Sequence, residues 1–153
     1  MNDTERAQGI HCAGLNVALP YSWARGVVDD FDLSRVPLAP AWLAGAANLD
    51  GRIVAVVDLA TWAQPEAAPA ATAASARSRL LLGGEGAEAF ALRFTGLPTL
   101  LRCGPMTADT AQTLPPALQA LVNGAASADA SSELWPVLDI VGLARLWAHA
   151  LAH

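Results

Sequence analysis

The segment Trp42–Trp62, WLAGAANLDGRIVAVVDLATW, decides how the rest of the chain is read. Two apolar runs, Leu43–Asn48 and Arg52–Val57, flank Leu49-Asp50-Gly51. Asp-Gly between apolar runs marks a β-hairpin, because both residues tolerate positive φ. Ile53–Val57 is apolar at every position, so this strand is expected to be buried on both faces. Asp58 stands where its carboxylate can accept from the free amides of a short helix, Leu59–Ala63. The segment holds no catalytic group, so it reads as a device for shape.

The bulk numbers agree with a packed domain. The 153 residues suit one domain or two small joined subdomains. Hydrophobic residues are 54% and charged residues 15%, enough for a large core. Much of the apolar excess is alanine, and runs such as Ile53–Val57 fall far short of the ~20 residues of a spanning helix. No membrane insertion is expected. MNDTERAQG at the start has no apolar h-region, which predicts a cytoplasmic location. Nine basic and fourteen acidic residues give a net charge of −5 with no basic cluster, so no nucleic-acid partner is expected. Cys12 and Cys103 read as free, buried thiols in a reducing compartment. With His11, His149 and His153 they do not supply a zinc set, and no metal or cofactor is expected.

Outward from the hairpin, the text repeats. LNVALPYSWARGVV (15–28) predicts a strand, a Pro-marked bend and a second short strand, and VPLAPAW (36–42) an extended connector. QPEAAPAATAASARSR (64–79) reads as a mobile low-complexity loop, with strands resuming at Leu80–Leu82 and Ala89–Phe94. Across that loop, VALPYSWARGVV (17–28) aligns with FALRFTGLPTLL (90–101). GAANLD (45–50) aligns with GAASAD (124–129), and VVDL (56–59) with VLDI (137–140). Alanine-rich text permits chance matches, but the shared order of three blocks favours an internal duplication. The second copy predicts a helical turn at TLPPALQALV, a longer-looped hairpin, a cap at Asp139 and an amphipathic helix over Ile140–Ala152. Two similar small β-barrels sharing one hydrophobic seam follow from this reading.

The stretch LPYSWARGVV…VPLAPAWLAGAANLDGRIVAVVDLATW resembles the CheW family of bacterial chemotaxis adaptors. Pro37, Pro40, Trp42, Leu43, Gly45, Asn48, Leu49, Gly51, Ile53, Val56, Asp58 and Leu59 fit its pattern. FALRFTGLPTLL and WPVLDIVGLARL follow its second half, so the likeness covers about residues 10–147. The resemblance implies an all-β fold of two SH3-like five-stranded barrels with a C-terminal helix. It implies a domain over 10–153, with a first half of about 10–63, the 64–79 linker, a second half of about 80–138 and a helix of about 140–152. It also implies a non-catalytic adaptor between the regulatory domain of a CheA-type histidine kinase and the coiled-coil tip of a chemoreceptor. The seam between barrels then makes a groove for a helical hairpin. Alone, the chain is expected to be a monomer.

The partner-binding set implied by this likeness is Trp23, Arg25, Gly26, Val27, Asn48, Leu49, Asp50, Gly51, Arg52 and Thr95. Asp50 stands where the family carries an arginine that contacts the receptor, Gly26 where it often carries a glutamate, and Thr95 where relatives often have aspartate. Ala55 replaces the family's proline. These departures admit a divergent scaffold, including one in a type IV pilus or twitching-motility pathway. Trp23 is expected to be partly exposed, and Asn48 has a local alternative, bonding its own turn. Asp29, Asp30 and Asp32 lack the rest of a calcium loop; Gly83–Gly86 lacks the Lys of a P-loop and reads as a turn. His11 and Cys12 are strand neighbours that face opposite ways, so they do not form a nucleophile pair.

Overall fold

The computed structural model describes residues 6–66, 77–129 and 133–152. Within them the chain forms ten strands: β1 Arg6–Cys12, β2 Leu15–Pro20, β3 Ala24–Val28, β4 Leu33–Ser34, β5 Leu43–Leu49, β6 Arg52–Val57, β7 Ser78–Gly83, β8 Phe90–Gly104, β9 Val122–Ser127 and β10 Trp135–Leu138. Three helices join them: α1 Leu59–Ala63, α2 Pro116–Gln119 and α3 Ile140–Leu151. The fold is all-β, two SH3-like barrels with a C-terminal helix. Residues 67–76 of the low-complexity segment lie outside the described residues. Ser78 and Arg79, assigned to that segment by composition, instead open β7, and Arg79 bonds Asp29 at 2.8 Å and the Gly96 carbonyl at 2.9 Å.

The barrels are not the two halves of the sequence. The second barrel is a closed ring of β1, β2, β10, β9 and the back half of β8, sealed where Ala7 pairs with Leu101 and Cys103 with Ala126. The first barrel joins β7 and the front half of β8 to β6 and β5, with β3 and β4 sharing the fifth place. Each barrel therefore takes strands from both sides of the low-complexity segment. β8 is 15 residues long and does not end at Phe94 as its pattern suggested. Gly96, at φ 76°, lets it bend from one barrel into the other.

The repeat seen in the text recurs in the register. β6 runs parallel to β8 with Val56 opposite Ala91, and β10 runs parallel to β2 with Val137 opposite Ala18. The aligned blocks match Val56 to Val137 and Ala91 to Ala18. Both hairpins slip at one place: Leu43–Val57 then Gly45–Val56, and Val122–Leu138 then Gly124–Val137. Past each slip an aspartate amide bonds back across the hairpin, Asp58 to the Trp42 carbonyl (2.8 Å) and Asp139 to that of Leu121 (2.7 Å). Each aspartate then caps its helix, accepting from the Thr61 and Gly142 amides respectively.

Three apolar clusters follow. Val28, Ala47, Val56, Leu80 and Ala91 fill the first barrel, and their matched partners Leu101, Ala126, Val137, Ala7 and Ala18 fill the second. The seam between barrels is the largest, with Ile10, Leu19, Leu81, Leu92, Phe94 and Leu138. α3 closes it through Trp147, whose fully buried ring meets Phe90 at 5.5 Å and Trp42 and Trp62 each at 6.3 Å. Two burial expectations fail. Ile53 is 68% exposed, because β6 meets β8 only from Ala55 onward and its tip overhangs the seam. Cys103 is exposed near the end of β8, while Cys12 is buried in the seam.

The second barrel has alanine at three of its five matched core positions, and Trp135 takes up the space. Trp135 occupies the place that Val54 holds in the first barrel, and Gly9 that of Leu82. A Cβ on Gly9 would meet the Trp135 ring at 2.8 Å and Leu101 at 2.9 Å. Gly9→Ala is therefore expected to lower stability by about 1–3 kcal/mol. Trp135→Val should recover part of that loss in the double variant, read by urea unfolding as a coupling of at least ~0.5 kcal/mol. Strictly additive effects would show that the two side chains do not share this space.

Candidate functional site

Most residues expected to meet a partner gather at one end of the first barrel. Leu49 pairs with Arg52 across a two-residue loop, Asp50-Gly51, at φ 54° and 85°. Positive φ at both positions is the type I′ geometry that matches strand twist. Leu49 therefore belongs to the strand. Asn48 Oδ1 accepts from the Gly51 amide at 2.9 Å, so its side chain has a local task in the turn. Asp50, Gly51 and Arg52 are exposed. Arg52 and Arg25 line an open depression of about 440 Å³ with Leu82, Gly84, Glu85, Gly86 and Ala89. Arg25 donates to Glu85 across it, which fixes one wall. Gly84, at φ 81°, makes the tight turn that carries Glu85 there.

Four members of the expected set fall elsewhere. Trp23 is buried rather than exposed: its indole lies against Gly83 and joins the seam cluster, because the turn after β2 folds it inward. It supports β3 from behind. Gly26 and Val27 lie on β3, opposite Leu82 and Leu81. Thr95 pairs with Ser78 and His11 at the point where β8 passes between barrels. It is five ladder pairs from the Gly83–Phe90 end, about 17 Å at strand rise.

Register shows a second surface that the sequence reading missed. Val27, Leu81 and Leu92 stand side by side on β3, β7 and β8, so they share a face. Leu100, Gln8 and Leu19 form the matching row on β8, β1 and β2. Leu92 and Leu19 are buried in the seam, whereas Val27 (38%) and Leu100 (58%) are exposed at its margin. Val27 and Leu100 are thus equivalent exposed apolar residues at the margin of the seam, one on each barrel. Leu100 was findable, since the aligned repeat sets it opposite Val27.

The interior offers little chemistry. Asp58 is held by Arg93 at 3.2 Å and by its capping bond to the Thr61 amide. Burial pushes the nearby Cys12 thiol up to about 12, and the Asp58 charge adds to the rise. His11 is exposed and its Nδ1 lies 2.5 Å from Asn16 Oδ1, on the face opposite Cys12. Among the described residues no three His, Cys, Asp or Glu side chains are grouped to hold a metal ion, and no helix is long and apolar enough to cross a membrane.

This arrangement of interlocked barrels is shared with known proteins. The CheW-like domain family matches residues 7–146. The chain belongs to that family. No curated protein matches it in sequence. Among solved structures it is similar to the scaffolding protein TtCheW from Thermoanaerobacter tengcongensis, with a TM-score of 0.65, 18% identity and 88% of each chain covered. The CheW-like domain is thus the frame that carries the hairpin end of the first barrel and the exposed apolar margin of the seam.

The two thiols of this CheW-like chain should differ sharply toward alkylating reagents. A pKa of about 12 leaves roughly one Cys12 in ten thousand as thiolate at pH 8. Iodoacetamide at pH 8 is expected to modify Cys103 alone in the native protein and both residues after denaturation. Mass spectrometry showing Cys12 alkylated at the rate of Cys103 in the folded state would contradict the sealed seam.

Proposed function

We propose that this CheW-like chain is a non-catalytic signalling adaptor. It binds the regulatory domain of a CheA-type histidine kinase and a receptor, or a receptor-like helical tip, in a bacterial chemosensory pathway. It works in the cytoplasm as a monomer until it meets those partners. The observation that carries the reading is where the chain puts its order. Two register-matched barrels lock together, and the residues left outward are docking features rather than reacting groups. The hairpin turn presents Asp50 and Arg52, and β3 presents Val27. A rigid frame loses little conformational freedom when a partner docks, which suits an adaptor.

A second reading has its own support. Asp50 is exposed at the tip of a turn whose family resemblance calls for arginine. A reversed charge at a docking turn disfavours the family's ordinary receptor partner. A divergent scaffold, for example in a type IV pilus pathway, is the form of adaptor this favours.

Calorimetry of the full chain with a CheA-type regulatory domain and with soluble receptor tips separates these readings. The adaptor reading expects a complex with the kinase domain at micromolar Kd or tighter; no kinase complex at all would remove it. Asp50→Arg should change stability by less than ~0.5 kcal/mol, since the side chain faces water. It should shift preference toward an ordinary chemoreceptor tip by about tenfold or more, as close interfacial charges do. Equal affinities of wild type and variant for both tips would exclude the turn as a docking determinant.

A further inference from the structure

We draw no further inference here: the strongest candidate, the pair of surface depressions at the equivalent ends of the two barrels, one lined by Arg25 and Arg52 and the other by Glu133, points only to one barrel end docking on another, which restates an established property of the family.

Discussion

The structure depends on one strand serving two barrels. The front half of β8 is held by β7 and β6, and its back half by β1 and β9. Neither barrel can close without the other half of that strand. The bend at Gly96 sets the angle between them, and Arg79 ties the bend to β7 through the Gly96 carbonyl. The seam is a consequence: residues that face away from each barrel's interior must find cover, and they find it against each other. α3 covers the remaining side, anchored by Trp147 among Trp42, Trp62 and Phe90.

A duplicated frame makes deviations informative. Where twin positions match, as with Val56 and Val137 or Asp58 and Asp139, the barrel geometry alone accounts for the residue. Where they differ, something else is at work. Gly9 and Trp135 are a packing exchange, a glycine making room for a ring that fills an alanine-lined barrel. Gln8 against Leu81 is a polar residue standing where the first barrel has a fully buried leucine. The hairpin turn differs too, since Asp50 tolerates its positive φ and stands exposed at the tip. These positions lie at the seam margin and at the end of the first barrel.

Local chemistry made much of this protein legible from its residues. Asp50-Gly51 dictated a tight hairpin because few other pairs accept positive φ twice, and Asp58 and Asp139 marked helix starts because a free amide needs an acceptor. The aligned blocks exposed the duplication, and the family pattern named the expected docking residues, of which Arg25 and Arg52 do meet at one depression. Only tertiary structure decided the rest. Strand exchange between barrels depends on pairings distant in sequence, which no local pattern encodes. Trp23 turned inward and Ile53 outward because burial is set by what an adjoining element covers, not by hydrophobicity. The row Leu19, Gln8 and Leu100 exists only once β1 lies between β2 and β8, since residues far apart in the chain share a face when hydrogen-bonded strands bring them side by side.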